Sequence, residues 1–290
     1  MAKKIVTKKQ KLILILLYCF RFLNSKQIQE FLGHKDHRRI NAWLKDLTDR
    51  EYIVRDFKPI YGILTKPAVY NLMAIGRGYI RNGYQYHFRV YLKRIARDNK
   101  TSKSFRIRCQ IIADWYLMLF PNSGTKTGIA IVDYLETELT TDRGEKEEKI
   151  PQNKLQFFTP CYFPSFILLE KIKPDAYLRR KTTKGIVHGL LLVLDTYIPR
   201  FLLRYTLKRI FDTLDEENWE DESIHSLQFY LLCPNNMIIV YLKRLLPSFL
   251  EKYYGGKLLQ FHFATKNQLY KKKNGETENI KWVTFSSTDY

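Results

Sequence analysis

"LGHKDHRRINAWLKDLTDREYI", residues 32–53, has an apolar and a basic series out of phase with each other. Ile40, Trp43, Leu44 and Leu47 recur at three- and four-residue spacing, which is the inward stripe of an amphipathic helix capped near Asp36. With that stripe inward, His37, Arg38, Asn41 and Lys45 must point elsewhere. The preceding "NSKQIQEF", residues 24–31, is a second short helical pattern. Asn24 or Ser25 caps it, Ile28, Phe31 and Leu32 face inward, and Gly33 stops it. Two short helices across a tight turn, the second with a polar and basic face, form a helix-turn-helix, whose second helix is shaped for a DNA groove.

Upstream, Thr7 can cap a helix over 8–20, with Leu12, Leu14, Ile15, Leu17 and Tyr18 pointing inward. Downstream the period changes. "YIVRDF" from Tyr52 and "AVYNLM" from Ala68 alternate as strands around "KPIYGILTKP", and "AIGRGYIRNGY" closes the unit with a helix near Tyr84. Residues 1–84 are therefore expected as a winged helix-turn-helix DNA-binding domain, and 85–120 as a helical connector broken around "DNKTSKS". Residues 121–290 are expected as an α/β domain. There "GIAIVDYL", "KLQFFTP", "FILLEKIKPDAYL", "GIVHGLLLVLD", "SLQFYLLCP" and "KLLQFHFAT" read as strands. Two amphipathic helices fall between the later ones, the first lined by Ile198, Phe201, Leu202, Tyr205, Ile210 and Phe211. The expected fold class is thus α+β and α/β: a winged helix, a helical connector and a three-layer α/β domain.

Charge narrows the partners. The net charge is +20, yet residues 1–110 hold 25 Lys and Arg against 7 Asp and Glu, whereas 111–290 hold 24 against 22. The excess lies around the helix-turn-helix, which puts double-stranded DNA first among partners. Arg38, Arg39 and Asn41 are expected as base readers, since Arg suits guanine and Asn suits adenine. His34, Lys35, His37 and Lys45, with Arg55 and Lys66 from the wing, would hold phosphates. The four cysteines are far apart and unpaired with His, so they read as buried thiols of a cytoplasmic protein. The apolar run from Leu12 to Phe20 is too short for a membrane span and lacks a cleavage pattern, so no membrane partner is expected.

Two carboxylates carry the second candidate site. Asp175 in "KIKPDAYL" and Asp195 in "GLLLVLDTY" stand on consecutive strand patterns, an arrangement that can hold Mg²⁺ for phosphodiester cleavage. The fuller pattern would have a carboxylate two residues before Asp195 and a Lys two residues after it, where Val193 and Tyr197 stand. The site reads as degenerate, with Mg²⁺ relevant only if it were active and no other cofactor expected. A phosphate-binding loop is missing too, because "YYGGKLL" lacks its spacing and hydroxyl. "FHF" at 261–263 has one His where a relaxase strand needs two.

"RFLNSKQIQEFLGHKDHRRINAWLKDLTDREYI" followed by "TKPAVYNLMAIGRGYI" resembles the winged helix of the plasmid replication-relaxation family. "KPDAYL", "LLLVLD" and the helix from Ile198 extend the resemblance, although members commonly carry Glu-x-Asp where this chain has Val193-Leu194-Asp195. The resemblance implies a sequence-specific DNA-binding accessory of a mobile element, with a C-terminal domain similar to restriction-endonuclease-like folds. A replication protein or a second copy of the chain would be its protein partner. The competing expectations are a Mg²⁺-dependent nuclease and a winged-helix transcriptional regulator.

Overall fold

Local capping starts each of the first three helices. α1 (Lys8–Phe20) begins with a capping box, in which the Thr7 hydroxyl accepts the Gln10 N–H and the Gln10 side chain accepts the Thr7 N–H. Asn24 and Gln27 repeat the device at α2 (Ser25–Leu32), which ends on Gly33 at φ 56° with its N–H turned back to Gln29 and Glu30. Asp36 caps α3 (His37–Asp49) by accepting the Arg38 N–H. The computed structural model describes residues 5–57, 67–83, 92–93, 95–120, 155–164, 166–216, 219, 223–253, 257–270, 272–273, 276–277 and 280–287. The chain divides into two compact units, 1–147 and 148–290.

In the first unit, β1 (Leu23–Asn24), β2 (Ile53–Asp56) and β3 (Val69–Leu72) form an antiparallel sheet in the order β1-β3-β2. The order α1-β1-α2-α3-β2-β3 is a winged-helix arrangement. Residues 58–66, between β2 and β3 in the chain, lie outside the described residues. α4 (Ala74–Gly83) runs so close to the start of β2 that a Cβ on Gly76 would lie 2.2 Å from the Tyr52 carbonyl oxygen, so only glycine fits there. α1 is buried without a break from Ile13 to Phe20. It touches β3, α2, α3 and α4, which explains why its apolar residues are not confined to one stripe.

The stretch read as a connector contains α5 (Lys103–Leu119), and this helix is part of the same core. The buried Gln27 amide donates to the Gln110 carbonyl at 2.9 Å and to Asp114 at 2.6 Å. The rings of Phe20, Phe31, Tyr116 and Phe120 form a continuous chain of contacts at 4.7–5.6 Å. An ion pair between Asp56 and Arg106 ties β2 to α5 as well.

The second unit is built on a six-stranded sheet. β4 (Leu155–Phe158), β5 (Ala176–Thr182), β6 (Gly185–Val193), β7 (Ile224–Cys233) and β8 (Leu258–Thr265) lie side by side in chain order. A short pair, β9 (Lys272–Lys273) and β10 (Glu276–Thr277), precedes β11 (Val283–Ser286), which closes the edge beside β8. β6, β7 and β8 are parallel, and β5 is antiparallel to both its neighbours. α6 (Ile167–Ile172) leads into β5, α7 (Arg200–Glu216) joins β6 to β7, and α8 (Asn236–Leu245) with α9 (Pro247–Leu250) joins β7 to β8. Phe211 of α7 stacks on Phe249 and on Phe261, which stacks on Phe229, so α7 and α9 cover one face of the sheet.

Two expectations for the second unit need correction. "FILLEKIKPDAYL" is not one strand, because Ile167–Ile172 is helical, Lys173 caps it in the left-handed region at φ 55°, and the strand starts only at Ala176. A short, wholly apolar run has no period to tell helix from strand. The inward face of α7 is Leu203, Leu207, Ile210, Phe211 and Leu214, whereas Phe201, Leu202 and Tyr205 are exposed. The expected strand "GIAIVDYL" lies outside the described residues.

A candidate nucleic-acid interface

On α3, Ile40, Leu44 and Leu47 are buried, and Arg38, Asn41 and Lys45 are exposed on the opposite side with Ala42 between them. At 100° per residue, Arg38, Ala42 and Lys45 occupy the centre of the outward face and Asn41 flanks it. His37 is exposed in the first turn. Arg39 lies on the other flank, its Nε 3.9 Å from Asp36 in a solvent-exposed pair. Such a pair is weak enough to exchange for a phosphate or a base.

The turn before α3 is held by its own side chains. The His34 Nδ1 lies 3.1 Å from the Asp36 carbonyl oxygen and 3.2 Å from its backbone nitrogen, and Gln29 donates to the His34 and Lys35 carbonyls. The His34 ring meets Trp43 edge to face at 5.2 Å. Trp43 was expected in the core but is only half-buried, and it supports the turn instead. Lys35 is exposed beside it. α3 is in turn locked to α1, because Asp46 accepts from Gln10 at 2.7 Å and from Arg50 at 3.1 Å.

In the wing, exposed Arg55 lies over the Phe57 ring at 4.6 Å and faces Tyr70 across the strand pair. Burial pushes the Tyr70 hydroxyl up, against the opposing charge and hydrogen bond of Arg55. Lys66 lies outside the described residues. Lys26, exposed in the first turn of α2, is a further cation that sequence reasoning passed over. The signal was available, since the Asn24 cap fixes where the first turn begins, and in a helix-turn-helix the first helix crosses the phosphate backbone.

The carboxylate pair sits at the end of the second unit's sheet where β5 starts and β6 stops. The Asp175 N–H donates to the Leu191 carbonyl at 2.8 Å, and its carboxylate accepts the Val193 N–H at 2.8 Å. Asp195 follows β6 by two residues and is half-buried. This is the C-terminal edge of the parallel strands, where α/β sheets commonly place ligands. The donor set does not fit a divalent cation well. One carboxylate is engaged by the backbone, Val193 is buried where a third acid would stand, and no group of three or more His, Cys, Asp or Glu side chains among the described residues could hold a metal.

On the helix-covered face, the buried Tyr177 hydroxyl lies 2.7 Å from His188 Nδ1, and Phe166 packs on the imidazole at 4.5 Å. Burial first, and then the Arg179 charge, push the His188 pKa down to about 4. A neutral imidazole wedged among rings is a core histidine.

A family model described as replication-relaxation matches residues 14–198, which includes the helix-turn-helix and both carboxylates. None of the curated proteins matches the chain. Among solved structures, Bacillus subtilis PadR in complex with operator DNA is similar at 18% identity, over 47% of this chain and 99% of that one, with a TM-score of 0.24.

Proposed function

Because the chain belongs to the replication-relaxation family, we propose that it is a sequence-specific double-stranded DNA-binding protein of a plasmid or related mobile element, acting in replication or its control. The observation that carries this reading is α3, where a capped and braced helix turns Arg38, Asn41 and Lys45 outward on a strongly basic unit. Arg38, Arg39 and Asn41 read bases; Lys35, His37 and Lys45 hold phosphates, together with Arg55 and Lys66 of the wing. His34 contributes chiefly by setting the turn. Residues 1–84 form the reading head, and the protein works in the cytoplasm.

The C-terminal unit is a restriction-endonuclease-like domain whose carboxylate site no longer cuts. Support comes from its mixed sheet, with β5 antiparallel among parallel β4, β6, β7 and β8, and from the entry of Asp175 and Asp195 at one sheet end. Its role is to recruit a replication protein or a second copy of the chain. A transcriptional regulator would use the same α3 face at a promoter.

The test is selection from a duplex library drawn from the protein's own genomic neighbourhood, at two salt concentrations. Retention of one enriched duplex at the higher salt is expected. Uniform binding that collapses with salt would mean phosphate contacts alone and would end the sequence-specific reading.

A further inference from the structure

The exposed half of α7 and the turn before it carry an aromatic and a basic series that lie outside the core. Phe201 and Tyr205 on the helix and Tyr197 in the turn before it recur every four residues and are 70%, 62% and 93% exposed. Arg200, Arg204 and Lys208 recur at the same interval beside them, and all three are exposed. Four residues of helix rise about 6 Å, so within α7 Phe201 and Tyr205 each have a cation next to them along the axis.

These side chains take no part in the core. The core-facing side of α7 is complete without them. The charges also run against the helix dipole, with Arg200 and Arg204 in the first turns and Asp212, Asp215 and Glu216 in the last. Cations at a helix N-terminus and anions at its C-terminus each cost stability. Burial and the neighbouring Asp212 raise the Asp215 pKa, as expected for crowded acids at the negative end. The first turn is nonetheless held in place, since Tyr241 of α8 donates to the Arg200 carbonyl at 3.3 Å and lies under its guanidinium at 5.5 Å.

We infer that this face of α7, with the turn before it, binds an unpaired nucleic-acid strand, Tyr197, Phe201 and Tyr205 stacking on bases and Arg200, Arg204 and Lys208 following the phosphates. A basic stripe next to the positive end of a helix selects an anionic occupant, and rings at one repeat beside it suit unstacked bases better than paired ones. Apart from Tyr197, the surface lies beyond the family-matched residues 14–198, and it does not depend on how α3 reads duplex DNA.

The test measures binding of the full chain to a fluorescent oligo(dT) and, separately, to duplex. Phe201→Leu with Tyr205→Leu keeps apolar area but removes the rings, and should weaken oligo(dT) binding ~5-fold or more for each ring lost. Phe201→Trp with Tyr205→Trp should keep it. Arg204→Ala with Lys208→Ala should flatten the salt dependence by about 1.4 in log–log slope. Unchanged oligo(dT) affinity in the Leu pair overturns the inference. So does a wild-type dimer that the Leu pair turns into a monomer, or anionic-vesicle binding that it abolishes, when oligo(dT) affinity stays the same. Duplex selection by α3 is read in the same samples, so failure there leaves the oligo(dT) result to stand by itself.

Discussion

The Asp175 carboxylate accepts the backbone N–H of Val193 at 2.8 Å. The residue that fills a would-be acidic position therefore also engages one of the two remaining acids. Asp175 acts as a clamp between the start of β5 and the end of β6. Asp175→Ala should cost ~1.5 to 3 kcal/mol in denaturant unfolding, the range for a hydrogen bond to a charged group, and Asp195→Ala should cost less. Supercoiled plasmid incubated with the wild-type protein and Mg²⁺ or Mn²⁺ should stay intact. Nicking that disappears in Asp175→Ala at unchanged stability would restore the nuclease reading.

On α3, the Asp36 cap fixes the first turn through the Arg38 N–H, so truncating outward side chains should leave the fold intact. Arg38→Ala and Asn41→Ala should each weaken a preferred duplex by ~1 to 3 kcal/mol and relax selection at one base position. Lys45→Ala should weaken all duplexes alike and reduce the salt slope by about 1. Equal losses on every sequence in all three variants would assign the whole face to phosphate contact.

The winged helix was legible because its signals are local. Thr7, Asn24, Asp36 and Gly33 mark helix ends within one turn of themselves, and the structure uses each as a cap. The second unit was less legible where two solutions share one pattern. α7 has two apolar stripes, and only the rest of the fold selects Leu203, Leu207 and Ile210 over Phe201 and Tyr205. Likewise, nothing near residues 103–119 announces that Gln27, eighty residues earlier, bonds Gln110 and Asp114 and draws that helix into the first unit's core.

Arg21 and Asp98 form a buried ion pair, with Arg21 Nε 3.1 Å from Asp98 and its guanidinium over Phe105. Burial raises the Asp98 pKa, and the hydrogen bond and charge of Arg21 oppose the rise. Arg21→Met leaves a buried, unpaired carboxylate and should cost ~3 to 5 kcal/mol at neutral pH. A raised folded-state pKa gives stability that is present at low pH and lost as pH rises through it. The deficit of Arg21→Met should therefore shrink on acidification through the carboxylate range. A deficit independent of pH would show that lost packing on Phe105, not charge, is what the variant removes.

His188 works in the opposite direction. Its pKa is about 4 in the fold against 6.5 for an exposed imidazole, so the unfolded chain binds more protons between those values. The stability this neutral imidazole contributes is complete above pH 6.5 and is lost as pH falls toward 4, by roughly 3 kcal/mol over the window. His188→Gln keeps a partner for the Tyr177 hydroxyl but cannot titrate. Urea midpoints at pH 7 and pH 4.5 should fall more steeply in the wild type than in His188→Gln. Parallel falls in both proteins would place the acid sensitivity on other groups and leave His188 as a packing residue against Phe166 and Tyr177.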